Sequence, residues 1–247
     1  MRIRRTLIAI ALAAAVSAGA AACGGASDSD DSGGGSGNNS EGSGTPQEDD
    51  MRSRLAAGLE ATSPANAKLV SKETTKLTPV NATWLAGWQI IDVESTGTPH
   101  SQRFYAGLAE DGTVHLLSGK PDGFNQMLAA AGATADSGEV ATAIAQTYLD
   151  STRDFAVWSY RIESLGEVQW RPTMTAEQTQ AKQDVETAWS SKVTAPAAIA
   201  AGDGWQLTLW EVKGQDLVRH DLVIGADGQV QDSALAVAQQ LPVPASL

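Results

Sequence analysis

The spacing of apolar side chains divides the chain into three stretches. Leu7 to Ala22 is sixteen residues of Leu, Ile, Val, Ala and small residues, and Gly24 to Asp50 has no aromatic or large aliphatic residue at all. From Met51 onward, apolar positions return at regular intervals. There, Glu48 to Ala61, Glu139 to Asp150 and Ala176 to Ser190 are rich in Ala, Glu, Gln and Leu and free of proline, which predicts three helices. In the middle one, Val140, Ile144, Thr147, Tyr148 and Ser151 trace a stripe at helical spacing, with Asp136 and Ser137 placed to cap its start.

Elsewhere the period is two. Trp205, Leu207 and Leu209 alternate with Gln206, Thr208 and Trp210, and Val218, His220, Leu222 and Ile224 alternate with Leu217, Arg219 and Asp221. Asp111-Gly112 and Asp227-Gly228 sit between such runs, where a tight turn needs residues that tolerate positive φ. Lys213 to Asp216 supplies a second turn and Ser95 to His100 a longer one. Phe155 to Leu165 reads as a further strand, with Glu167 to Arg171 as a partner for it.

The two Asp-Gly regions resemble each other. GWQIIDVESTGTPHSQRFYAGLAEDGTVHLLSG surrounds Trp88 and GWQLTLWEVKGQDLVRHDLVIGADGQVQDSA surrounds Trp205. Each opens on Gly-Trp-Gln and an aliphatic residue and carries an arginine, Arg103 or Arg219, upstream of its Asp-Gly pair. From the tryptophan to the Asp-Gly glycine is 24 positions in one and 23 in the other, as if one loop residue separated two copies. The expected fold class is therefore α+β, with two related units, each a helix plus a three-stranded antiparallel meander. Residues 51–120 form the first unit and 138–247 the second, joined by a linker over 121–137 that contains Pro121, Gly123 and Gly132. This order resembles cystatin-like and NTF2-like domains, which implies a layer of helix on a curved sheet.

Arg2, Arg4 and Arg5 ahead of the apolar run give an export signal over residues 1–22, since the run is shorter than the roughly 20 residues that span a bilayer. Ala20, Ala21 and Ala22 followed by Cys23 and Gly24 resemble the lipobox junction of bacterial lipoproteins, although Ala20 stands where leucine is usual. That resemblance implies lipidation of Cys23 and a membrane anchor. A lone thiol has no partner for an intramolecular disulfide and too few companions for a metal site, whereas an anchor needs only one cysteine. Residues 23–50 then form an acidic Gly/Ser tether, with a reach on the order of 30 Å.

Charge narrows the partners. The chain has 17 basic and 29 acidic residues, and loss of the signal leaves 14 basic residues and a net charge of −15. An acidic exterior disfavours nucleic acid, which demands basic surface. Of the three histidines, His100 falls in a loop, His115 follows an Asp-Gly turn and His220 sits in strand alternation. None has the spacing of a metal pair, and no Gly-x-Ser-x-Gly or phosphate-binding loop appears in the folded region. Neither catalytic residues, nor a metal, nor a cofactor is assigned. Asp92 with Glu94, or Asp221, can be paired as acids only on paper.

Tryptophan is more informative. Trp205 and Trp210 lie five apart and so face opposite sides of a strand. Trp88, Trp205 and Trp210 are the candidate binding residues, against the alternative of a two-sided core. The expected role is a non-catalytic, lipid-anchored interaction or assembly module on the extracytoplasmic side of the cell membrane, holding an envelope protein. A carrier or sensor of a lipid or small apolar molecule is the alternative, with an envelope hydrolase behind it.

Overall fold

A computed structural model of the chain describes residues 46–97 and 101–244. The signal, Cys23, nearly all of the tether and His100 lie outside the described residues. The fold is α+β, with five α-helices and two antiparallel sheets among the described residues.

Helices α1 (Pro46–Glu60) and α2 (Pro64–Val70) precede the first sheet, whose strands run in the order β1 (Thr75–Val80), β2 (Trp88–Ser95), β3 (Gln102–Ala109) and β4 (Val114–Leu116). Helices α3 (Pro121–Ala131) and α4 (Gly138–Thr152) follow, then β5 (Ser159–Ile162), a 3₁₀ turn at Leu165–Glu167 and α5 (Ala176–Trp189). The last strands are β6 (Ile199–Ala201), β7 (Gly204–Lys213), β8 (Asp216–Ile224) and β9 (Val230–Ala238). The second sheet has the order β5-β7-β8-β9, and β6 also pairs with β7.

The first sheet is covered on two sides, which is why adjacent residues such as Ile90 and Ile91 are both fully buried, and the second is covered on its inner face and over part of its outer one. Ile91 and Val93, with Phe104, Ala106 and Leu108, meet Leu55 and Leu59 of α1 and Leu69 and Val70 of α2. The opposite face presents Ile90 and Tyr105 to a central core made by Phe124, Met127 and Leu128 of α3 and Ile144, Ala145, Tyr148 and Leu149 of α4. Leu207, Leu209, Leu222 and Ile224 of the second sheet close that core, and α4 touches β3, β7 and β8. The outer face of the second sheet carries a third cluster, with Trp210, Val212 and Leu217 under Leu165, Val168, Val193 and Leu241. Trp189 and Val185 of α5 pack on it.

Local signals explain most of these elements. The Ser137 hydroxyl caps α4 by accepting from the Val140 amide at 3.3 Å, and Thr175 with Gln178 forms a reciprocal capping box on α5. Residues 121–137, expected as a linker, instead begin with helix α3, whose Phe124, Met127 and Leu128 are completely buried. Pro121 stands in the first turn, where its missing N–H costs nothing, and Gly132 ends the helix at φ 59°. Glu167 to Arg171 is not a strand, because the chain turns there through Leu165–Glu167 and Val168 buries itself in the third cluster. β1 and β6 and the short helix α2 extend the expected set.

The two Asp-Gly turns are built alike. Asp111 accepts from the Thr113 amide at 2.8 Å and Asp227 from the Gln229 amide at 3.1 Å, with Gly112 and Gly228 at φ 88° and 74°. The strands beyond them differ. Trp88 lies opposite Ala109, three residues before Gly112, whereas Trp205 lies opposite Ile224, four before Gly228. At the far ends, Ser95 and Gln102 flank six residues, but Lys213 and Asp216 flank two. The expected single-residue loop difference is therefore replaced by a shift along the strand and a longer loop.

Candidate functional site

The three candidate tryptophans are all packed. Trp88 is half-buried against the central core and stacks on His115, with ring centroids 5.3 Å apart and planes at 22°. Burial lowers the His115 pKa. Trp205 also packs on the central core, and its indole Nε1 donates to the Ala135 carbonyl at 2.8 Å. Trp210 is 4% exposed and meets Trp189 edge to face at 5.7 Å. The opposite-face placement of Trp205 and Trp210 thus makes a two-sided core, and Trp210 has no free face with which to anchor a ligand.

The strand register assembles a polar cluster that sequence spacing does not show. Leu209 pairs with His220 and Ala234 lies on its other side, so Glu211 of β7 and Asp232 of β9 reach the ring from flanking strands. His220 Nδ1 is 2.9 Å from Asp232 Oδ2 and Nε2 is 3.2 Å from Glu211 Oε2. His220 and Glu211 are 5% and 3% exposed. Burial alone would pull the imidazolium pKa down, but the hydrogen bonds to Asp232 and Glu211 outweigh it and push the value up to about 9. Asp232 Oδ1 is buried without a hydrogen-bond partner. Tyr148 of α4 also feels Asp232: burial first, then Asp232 and Asp122, push its phenol up to about 12.

This arrangement holds a charge. Both ring nitrogens are occupied by carboxylates, so as placed His220 has no free nitrogen to take a proton from a nucleophile. The carboxylates lie on opposite sides of the ring, and among the described residues no group of His, Cys, Asp and Glu side chains is placed to hold a metal ion. Asp221 does not join the cluster. It accepts from Arg219 Nε at 3.0 Å and from the Thr208 hydroxyl at 3.0 Å on the outer face of the sheet. Asp92 likewise binds Arg103 through two bonds of 2.9 and 2.6 Å, and does not pair with Glu94.

Among the described residues, the exposed large apolar side chains gather mainly on the outer face and edge of the second sheet. Ile199 is 70% exposed, Leu235 54% and Val223 39%, and an open groove of about 570 Å³ runs past Ile199, Thr208, Asp221 and Val223. Beside it, β9 forms the edge of the sheet, and Ser233 to Ala236 are exposed. At the head of this strand the Asn125 side chain takes the place of a neighbouring strand, accepting from the Val230 amide and donating to the Val230 carbonyl, each at 2.9 Å. The backbone groups of Val230 therefore point outward. By strand alternation those of Asp232, Ala234 and Ala236 do too, and among the described residues no backbone partner meets them there.

No protein-family model, no curated protein and no solved structure matches the chain. Among the described residues, no helix is long and apolar enough to cross a membrane.

Proposed function

We propose that this protein is an exported lipoprotein, tethered through lipidated Cys23 to the extracytoplasmic side of the cell membrane, that acts as a non-catalytic interaction module. Its partner is an extended segment of an envelope protein that pairs with the outer edge of β9. The observation that carries this reading is the open edge itself, which offers outward N–H and C=O groups beyond the Asn125 cap, with Leu235 exposed beside them. Strand addition of this kind draws affinity from main-chain hydrogen bonds and specificity from alternate side chains. The acidic balance of the chain selects for a neutral or basic segment.

The same reading takes the two Asp-Gly regions as related helix-plus-meander units of cystatin-like or NTF2-like type. The matching Asx turns favour common descent.

Two substitutions test the proposal together. Cys23→Ser should release the chain from the membrane fraction. Ala234→Pro removes an outward N–H while sparing the β8–β9 ladder. A photo-crosslinker at Leu235 in the anchored chain should give one defined adduct that Ala234→Pro abolishes at unchanged thermal stability. An adduct that survives Ala234→Pro refutes the edge, and a chain that remains membrane-bound as Cys23→Ser refutes the anchor.

A further inference from the structure

A second site lies where the end of α4, the start of β3 and the start of β5 meet. A cavity of about 290 Å³ there is lined by Arg103, Arg153, Phe155, Trp158 and Ser159, with Glu94 on its wall. Both guanidinium groups rest on one ring, Arg153 Cζ at 4.6 Å from the Phe155 centroid and Arg103 Cζ at 5.6 Å. Stacking fixes a guanidinium plane and leaves its N–H edge free to meet a planar anion.

The two arginines differ in what they are bonded to. Arg103 is neutralised by the two hydrogen bonds it donates to the Asp92 carboxylate. Arg153 makes no ion pair among the described residues, and its one hydrogen bond runs from Nη1 to the Ser159 carbonyl at 3.0 Å. Its Nε is buried without a partner, and so is Oγ of Ser159, a residue only 4% exposed. These two orphaned polar atoms and an unpaired, half-buried cation belong to residues that line one cavity, and they are a standing cost, because buried polar groups are ordinarily hydrogen-bonded.

A carboxylate removes all three deficits at once. Its oxygens accept from the guanidinium edge of Arg153, Nε–H included, and from the Ser159 hydroxyl once these buried atoms turn toward the cavity, while its charge balances the guanidinium. Phe155 and Trp158 supply an apolar wall for what the carboxylate is attached to. Glu94 on the same wall repels each added negative charge, which favours a monoanion over a dianion.

We propose that this cavity binds a monocarboxylate carrying an aromatic or branched aliphatic group, held by Arg153 and Ser159 and laid against Phe155 and Trp158. The inference stands independently of the anchor and of the β9 edge.

The test is a titration of the full chain carrying Cys23→Ser with phenylacetate, followed by NMR at the Arg153 Nε–Hε signal. A saturable shift is expected with Kd of about 1 mM or tighter, and phenylacetamide, which keeps the ring and loses the charge, should not reproduce it. Ser159→Ala should weaken binding about fivefold through one lost hydrogen bond, and Arg153→Lys by at least about tenfold because the ammonium lacks the planar fork. If Arg153→Lys does not fold, Ser159→Ala and the amide comparison decide the matter.

A peptide ending in free-acid phenylalanine and its C-amidated form make the second arm. Tighter binding of the acid peptide than of phenylacetate assigns the carboxylate to a chain terminus, and weaker binding assigns it to a free small acid. No saturable shift up to about 10 mM, an equal response to phenylacetamide, or affinity unchanged in both variants overturns the proposal.

Discussion

Raising the pH should destabilise this protein through His220. In the folded chain the imidazolium is held between Glu211 and Asp232 and its pKa stands at about 9, against about 6.5 for an unperturbed histidine. Because the folded value is the higher one, the contribution is present in full below about pH 6.5 and is lost as pH rises through 9. At 1.36 kcal/mol per pKa unit the loss amounts to about 3 kcal/mol. For a folded part of about 200 residues that corresponds to a fall in Tm of about 6–12 °C.

The two other shifted groups of interest leave the window clear. Tyr148 is pushed up to about 12, above it, and the lowered His115 finishes titrating below it. Urea unfolding of the wild-type chain between pH 6 and 10, followed by tryptophan fluorescence, measures the effect. His220→Gln should be less stable than wild type at pH 6 and show a flattened profile. Wild-type stability that stays level between pH 6.5 and 9.5, or a His220→Gln profile with the wild-type slope, would refute the reasoning.

Three further outcomes are expected. Asn125→Ala removes both side-chain bonds to Val230 and should cost about 1–3 kcal/mol; sedimentation should also show concentration-dependent association, because more of the β9 edge is then uncovered. Gly58→Val places a side chain against Val114 and, at 2.8 Å, the Gly112 carbonyl, and should cost at least about 1–3 kcal/mol in chemical denaturation. Arg103→Ala breaks an ion pair whose arginine is 40% exposed, so a loss of about 1 kcal/mol or less is expected in the same assay.

How much of this was legible depended on whether the deciding signal was local. Helix α4 was, because its apolar stripe and the Ser137 cap lie within one stretch of chain. Helix α3 was not, although Pro121 and Gly132 are ordinary start and stop signals; its alanines and Gly123 read as a boundary, and only burial against α4 and both sheets shows otherwise. β1 contains Pro79 and two polar threonines, and it forms by pairing with β2, a contact sequence does not record.

The polar cluster was hidden for a related reason. His220 was visible in an apolar alternation, but Glu211 and Asp232 are nine and twelve residues away and reach it only through the register of three strands. Arg153 at the end of α4 and Ser159 of β5 line one cavity with Arg103 of β3, far from them in sequence. Trp210 shows the reverse case: strand parity set it on the face opposite Trp205, and only the fold shows that α5 with its Trp189 covers it there.

The most direct test of the central claim is hydrogen exchange at Val230–Ala238, compared between the anchored chain on its own cell membranes and the purified Cys23→Ser chain. Slower exchange of these amides on the membranes, abolished by Ala234→Pro, is the result this account predicts. Equal exchange in the two settings would contradict it, because an edge strand paired with a partner cannot exchange as fast as a bare one.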